Sequence, residues 1–398
     1  MIFRMIFRFI YPVFMVNFGY SNCKLTILLA HGMKIGDKHY RSLWLEEGET
    51  PQIRYIDQAV LPFRFETGTL HTPEDALLAI TEMKVRGAPL IGAVAAGGIF
   101  LAAYRSAGKN HQETTVRKWA GKLKQARPTA VNLRVMVDRM ADHVLNAFSP
   151  ESPEERARKE YMKILEGETE ACRMIGLHGL EILRDLHRKT GRTVNILTHC
   201  NAGWLACIDY GTATAPIYLA HERNIPVHVW VDETRPRNQG ARLTAWELQQ
   251  AGIPHTVITD NAGGHLMQKG CVDVVLVGSD CTTRNGDVAN KIGTYLKALA
   301  ARDNGIPFYV ALPVSSIDRE MENGVRNIPV EERSGEEVRL IEGLDGENLV
   351  RVSILSEEHP VSNPGFDVTP ARLVTALITE RGVCEATEGG IASLFTDP

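Results

Sequence analysis

The chain has 398 residues, with 44 basic and 48 acidic side chains and a formal net charge of −4. This length holds two domains and a large core, and the mixed, slightly acidic balance argues against a nucleic-acid binder working through bulk positive charge. Small anionic ligands stay open, because they need a few placed cations rather than a basic surface.

The first 32 residues, beginning "MIFRMIFRFIYPVFMVNFGY", are apolar and aromatic with Arg4 and Arg8 interleaved. Pro12 and Asn17 interrupt the run, it is short for a membrane span, and no A-x-A cleavage site follows. We read it as an extension that is not native, with Met33 the true start, and expect no membrane association. Residues 33–65 alternate apolar and polar positions between Gly- and Pro-containing breaks, the pattern of short antiparallel strands. At Thr72 the period changes. Thr72 suits an N-cap, Pro73 the first helical position, and Glu74 and Asp75 the first turn, with Leu77, Leu78 and Met83 as apolar positions. Further helices are expected over Gly92–Tyr104, 112–126, 131–147 and 151–188.

From Thr193 the rhythm is strand, then helix. Strands are predicted at 194–198, 226–231, 255–259, 273–278 and 307–312. Helical stretches at 202–223, 239–251, 262–269 and 287–303 fill the gaps. Continuous β-branched runs alternating with helices predict a parallel sheet covered on both faces. The fold class is therefore α/β. Residues 191–398 would form a Rossmann-like doubly wound domain, and 33–190 a smaller, mainly helical domain preceded by short antiparallel strands.

In open parallel sheets ligands lie beyond the carboxyl ends of the strands. His199, Cys200 and Asn201 follow the first predicted strand; Asp232, Glu233, Thr234 and Arg235 the second; Asp260 and Asn261 the third; Ser279, Asp280 and Cys281 the fourth. Four polar clusters in register suggest a site. A free cysteine is commonly a buried small hydrophobe. Cys200 differs in ending a strand before "NAG", where a helix N-terminus would favour a thiolate. Asp280 emerges from "VVLVGS", where desolvation would raise its pKa and fit it to donate a proton; the plainer reading is a turn aspartate. In "NGDVANKIGTY", Asp287 reads as a cap and Asn290 and Lys291 as first-turn residues. A lysine there opposes the helix dipole, which suggests an anion in front of it.

In the first half, Arg86 and Gly87 precede Pro89 at a helix start, so the guanidinium and free amides could cradle an anion. Arg127 precedes Pro128 at a helix break and could grip phosphate by paired hydrogen bonds. Together with Lys291 they point to a phosphorylated substrate between the domains. No G-x-G-x-x-G, Walker loop or G-x-S-x-G occurs. The histidines lack ligand spacing, and there is no C-x-x-C, so no metal is expected. Seven irregularly spaced cysteines do not suggest a disulfide framework, and a reducing cytoplasm is the expected compartment.

The segments "RGAPLIG", "RPTAVNL", "THCNAG", "ETRPRNQGARLTAWEL", "NGDVANKIGTY", "IPFYVALPVSSID" and "NPGFDVTP" resemble the methylthioribose-1-phosphate isomerase family. That family is related to the regulatory subunits of the translation-factor guanine-exchange complex. The resemblance runs from about Trp44 to Thr379. It implies a homodimer that needs no cofactor and no nucleic acid, and an aldose-to-ketose conversion of a phosphorylated pentose in methionine salvage. It further implies Asp280 as proton donor, Cys200 as the second catalytic residue, and substrate contacts at Arg86, Gly87, Ala88, Arg127, Gln239, Asn290 and Lys291. The chain departs from the family at "GSDCT", where "GADRI" is common, and at "TDNAGGHLM", where many members read "DSAAA". Both departures bear on the 5-substituent, and 5-deoxyribose 1-phosphate is a further substrate to consider. The rival readings are a ribose-1,5-bisphosphate isomerase, which would need cations for a second phosphate, and a non-catalytic regulatory subunit binding a sugar phosphate or nucleotide.

Overall fold

A computed structural model describes residues 33–46, 48, 50–127, 130–146 and 150–396; the apolar segment at 1–32 lies outside them, as do Pro128 and position 147. Strands β1 (Met33–Ile35) and β2 (Lys38–Tyr40) form a hairpin. Strands β3 (Leu43–Glu46), β4 (Gln52–Ile56) and β5 (Thr67–Leu70) form a three-stranded antiparallel sheet, as the alternation predicts. Helix α1 (Pro73–Thr81) opens with a capping box: the Asp75 amide donates to Thr72 Oγ1 (3.1 Å) and the Thr72 amide to Asp75 Oδ2 (2.9 Å). Its buried face is not the expected one. Ala76, Ala79 and Ile80 face inward, Leu78 is exposed, and Met83 lies past the helix end. Small residues are inside because α1 rests on α2, where backbones come close.

Helix α2 (Ala88–Arg105) is buried from Ala88 through Ala103. By length and composition it could cross a membrane. Here it is the core helix, packed among α1, α3 (Gln112–Lys124), α4 (Val131–Val144) and α5 (Pro153–Thr190). Helix α5 runs 38 residues, capped by Ser152 and ended by Gly191 in the left-handed conformation. Its first half, with Tyr161 and Ile164, packs in the helical core; its second half, with Cys172, Ile175 and Leu183, packs against the large sheet.

That sheet is built from β6 (Val194–Thr198), β7 (Val227–Asp232), β8 (His255–Ile258), β9 (Val274–Val277), β12 (Phe308–Ala311), β17 (Ala376–Thr379) and β18 (Gly382–Cys384). The intervening numbers belong to β10 (Cys281–Thr283), β11 (Val288–Lys291), β13 (Ile317–Asp318), β14 (Leu340–Asp345), β15 (Asn348–Ser353) and β16 (Phe366–Thr369). The spatial order is β8-β7-β6-β9-β12-β17-β18, all parallel except the last. The first six parallel strands thus lie third, second, first, fourth, fifth, sixth: the doubly wound order, with its reversal between β6 and β9. Helices α6 (Ala215–Glu222) and α7 (Ala245–Gln250) share one apolar cluster with the back of α5; α8 (Ala262–Gln268) and α9 (Thr294–Asp303) share the cluster on the other face.

Two expectations near the reversal fail. The helix expected over 202–223 is only α6, preceded by a 3-10 turn at Trp204–Ala206 and irregular chain. The Glu247 carboxylate takes the Trp204 and Leu205 amides (3.2 and 3.0 Å), and Tyr210 and Gly211 have positive φ, so no helix can run through. The stretch 287–303 is not one helix either. Val288–Lys291 is strand, because it pairs antiparallel with both β10 and β16 in a four-stranded sheet ordered β13-β10-β11-β16. Asp287 consequently caps no helix in its own stretch; it accepts from Asn285 Nδ2 and from the Gly324 and Ala371 amides, which open a distant short helix and a 3-10 turn.

Candidate active site

A cleft of about 700 Å³ opens at the carboxyl ends of β6 and β9, where the strand order reverses. All nine predicted site residues line it: Arg86, Gly87, Ala88, Arg127, Cys200, Gln239, Asp280, Asn290 and Lys291. Residues that the sequence reading did not assign line it too, among them Met83, Asn201, Thr212 and Phe366.

Cys200 follows β6 directly, but not at a helix N-terminus. It adopts φ +67°, a left-handed conformation that costs a residue with a Cβ about 1–2 kcal/mol. The surroundings hold it there. Its amide donates to Thr234 Oγ1 (2.8 Å) and its carbonyl accepts from Thr244 Oγ1 (2.7 Å). Its Sγ donates to Gln239 Oε1 (3.3 Å). Burial pushes the thiol up from its ordinary range, against the pull of Arg86 and Lys291. Cys200 is therefore a neutral thiol at rest, not a thiolate stabilised by helix amides.

Asp280 comes one strand over, just past β9. Its amide is fixed by the Ala289 carbonyl (3.0 Å), and its side chain keeps partial exposure into the cleft. Among the described residues no donor reaches its carboxyl. Desolvation pushes that carboxyl up, while Lys291, Arg127 and Arg86 pull it down.

The cations have distinct settings. Lys291 is on a strand, not in a first helical turn. It is buried, donates to the Gly365 carbonyl (3.1 Å) and sits 4.9 Å from the Phe366 ring centre. Burial pulls its ammonium down, with Cys200 and Asp280 opposing. Asn290 donates to Thr294 Oγ1 (3.0 Å). Arg127 is largely enclosed, and desolvation lowers its guanidinium. Its Nε faces Glu331 Oε2 at 3.4 Å, yet neither buried atom gains a hydrogen bond. Arg86 donates from Nη1 to Asn201 Oδ1 and from Nη2 to the Asn201 carbonyl (2.6 Å). Asn201 donates in turn to buried Glu247 (3.0 Å), which also accepts from the Tyr218 hydroxyl (2.8 Å). Gly87 has φ +93°, and a Cβ there would stand 2.5 Å from Ala206, so the α2 N-terminus can approach the cleft only with glycine. In the first turn of α2 Pro89 has no N–H, which leaves the Ala88 and Leu90 amides without an intrahelical partner.

The two sequence departures separate. Ser279 lines the cleft, but Cys281 is buried in β10 beside Val131, Ala289 and Ile328, and no residue of 259–267 lines the cleft.

Sequence spacing did not bring a histidine together with two acids, but among the described residues the fold makes one such cluster. His199, Asp232 and Asp260 offer ligand atoms within 4.8 Å of one another. Lys297 Nζ lies 3.0 Å from Asp232 Oδ2, so an ammonium supplies the positive charge there. His199 Nδ1 also bonds Asp232 Oδ2 (2.8 Å), and Nε2 the Ile292 carbonyl (2.8 Å).

The arrangement brings together a carboxyl that burial raises above its ordinary range, a neutral thiol across the strand reversal, and three cationic side chains on one cleft.

Residues 84–386 match the model of the initiation factor 2 subunit family. The methylthioribose-1-phosphate isomerase of Desulfatibacillum aliphaticivorans is 55% identical over 366 residues, 92% of this chain and 99% of that protein. The enzyme of the same name from Rhizobium meliloti is 54% identical over 370 residues, 92% and 100% of the two chains. The crystal structure of 5-methylthioribose 1-phosphate isomerase from Pyrococcus horikoshii superposes with TM-score 0.75 at 39% identity, covering 90% of this chain and 96% of that one. The A. fulgidus structure described as translation initiation factor eIF-2B subunit delta gives 0.72 at 38% identity, covering 89% and 99%.

Proposed function

We propose that this chain, which belongs to the initiation factor 2 subunit family and within it to the methylthioribose-1-phosphate isomerases, converts 5-methylthio-α-D-ribose 1-phosphate to 5-methylthio-D-ribulose 1-phosphate in methionine salvage. It is an aldose–ketose isomerase. The observation that carries the mechanism is the placement of Cys200 and Asp280 at the ends of adjacent strands, facing one cationic cleft.

The anomeric carbon bears phosphate, so no free aldehyde acidifies C2, and the ring must open with the phosphate still attached. Neutral Asp280 protonates the ring oxygen as the C1–O4 bond breaks. The hydrogen on C2 then moves to C1, and C2 becomes the carbonyl carbon. In one route Cys200, required as a thiolate, removes C2–H as a proton and returns it to C1, while the Asp280 carboxylate left by the first step takes the C2 hydroxyl proton. In the other, hydride passes from C2 to C1, and the Asp280 carboxylate left by the first step takes the C2 hydroxyl proton. The neutral thiol, with its S–H turned to Gln239, favours the second route, in which Cys200 orders the site rather than acting as a base. A positioned acid or base contributes about 10²–10⁴-fold.

Arg86, Arg127, Lys291 and the first α2 amides hold the phosphate, with Gly87, Ala88, Gln239 and Asn290 completing the contacts. The helical region 33–190 and the sheet region 191–398 act as two domains that close on the substrate and exclude water. The protein works in the cytoplasm as a homodimer.

A turnover assay tests the reading with methylthioribose 1-phosphate, 5-deoxyribose 1-phosphate and ribose 1,5-bisphosphate. The highest kcat/KM is expected for the first, with measurable turnover of the second. Preference for the bisphosphate would assign the chain to the rival isomerase. No turnover of any of the three would make it a sugar-phosphate-binding regulatory subunit.

A further inference from the structure

His199 sits between Thr198 and Cys200 and is 1% exposed, yet the chemistry above does not use it. Its two ring nitrogens have different partners but the same demand. Nδ1 meets the Asp232 carboxylate, and Nε2 meets the Ile292 carbonyl, each at 2.8 Å. A backbone carbonyl can only accept, and an ionised carboxylate can only accept. The charged groups around the ring are Asp232, Asp260 with Oδ1 at 3.9 Å, Lys297, whose Nζ meets the same Asp232 Oδ2 at 3.0 Å, and Asp367, which is bound to the Gly293 and Tyr295 amides. Three carboxylates with one ammonium leave room for a second cation.

The ring also joins the two halves of the site. On one side it is covalently next to Cys200, whose left-handed backbone the Thr234 hydroxyl holds. Thr234 itself is anchored by Asp260, which accepts its amide (2.7 Å). On the other side the ring bonds the carbonyl directly after Lys291. Gly293 makes room for this. It has φ +104°, and a Cβ there would come 3.0–3.1 Å from the imidazole, so no larger residue fits under the ring.

We infer that His199 is a positioning residue, an imidazolium donating from both nitrogens, which sets Cys200 against Lys291 across the cleft. It acts through those two residues and touches no reacting atom. The inference rests on the isomerase reading for its effect on rate, but not for its protonation state.

The test uses the full chain and its His199→Gln and His199→Asn forms. Neither amide side chain can donate to both partners at once. With methylthioribose 1-phosphate, kcat is expected to fall about 100-fold, the scale set by small misplacements of reacting groups, while KM stays within about threefold. An unchanged kcat, or a loss confined to KM, overturns the inference. So does a loss of kcat that tracks only a collapse of the melting temperature. A second measurement needs no variant: ¹⁵N-histidine spectra of the unsubstituted protein should show one ring whose two N–H protons both exchange slowly with water. Absence of such a ring overturns the inference. If the unsubstituted protein fails to turn over the substrate, the isomerase reading falls, while the spectrum still decides the state of His199.

Discussion

Beneath and above Cys200 lie two regions with similar ingredients and opposite logic. Beneath it, buried Asp232 takes His199 and Lys297 on its Oδ2, with partly exposed Asp260 beside the ring, while Asp232 Oδ1 is left without a partner. Above it, Asp280, Arg127 and Lys291 face a cleft; among the described residues no donor reaches the partly exposed Asp280 carboxyl, and buried Arg127 Nε finds no acceptor within hydrogen-bonding geometry. Burying an unpaired polar group costs more than pairing it returns. What separates the regions is access: the unpaired groups above line the cleft, where a bound molecule can meet them, and the hydrogen bonds below hold the backbone under it.

Substitutions can break this contrast. Asp280→Asn should have the largest effect, lowering kcat by about 10³-fold or more with substrate binding retained by calorimetry. Cys200→Ser should lower kcat by roughly 100-fold. Substantial turnover in either variant would assign the chemistry elsewhere. Arg127→Met removes one charge-assisted partner of the phosphate, a loss of about 1.5–3 kcal/mol. KM should rise roughly 10-fold or more, with kcat little changed; a fall in kcat alone would give Arg127 a different task.

The smallest effect comes from a control that sharpens the comparison. Glu168 on α5 is buried, its Oε2 also lacks a partner, and burial beside Glu380 raises its carboxyl to about 7. It lies outside the cleft. Because its folded pKa exceeds the unfolded one, the unfolded state loses its proton first as pH rises. Stability should thus fall between about 4.5 and about 7 and stay flat above. Glu168→Gln should abolish this loss, raising the melting temperature at pH 8 but not at pH 4, with kcat unchanged. A change in kcat would show that an unpaired carboxyl away from the cleft also matters to the reaction.

Much of the fold was legible because its cues are local. The strands at 274–277 and 308–311 are continuous apolar runs and 194–198 is mainly apolar, while α1 opens at the Thr72 cap read from the sequence. The loop after Cys200 was not legible: its helix is prevented by Glu247, 47 positions on from Cys200, which captures the amides. Nor was β11, whose strand character comes from two distant partners, β10 and β16. The residues of the cleft could be named from motif resemblance and strand-end position. His199, Glu247 and Glu331 could not, since their parts depend on contacts that only the fold creates. A signal for His199 did exist in its place beside Cys200 at a strand end, but no sequence spacing paired it with Asp232.

The proposed ring opening needs Asp280 as a neutral acid, and burial raises its carboxyl against the pull of Lys291, Arg127 and Arg86. The direct measurement is a ¹³C-carboxyl titration of Asp280 in the substrate-free protein, with its resonance assigned by Asp280→Asn. Titration clearly above the ordinary aspartate range is predicted, with kcat/KM declining on the alkaline side as pH rises through the same value. Titration at or below the ordinary range would mean that Lys291, Arg127 and Arg86 outweigh burial, and that the ring-opening proton comes from another group.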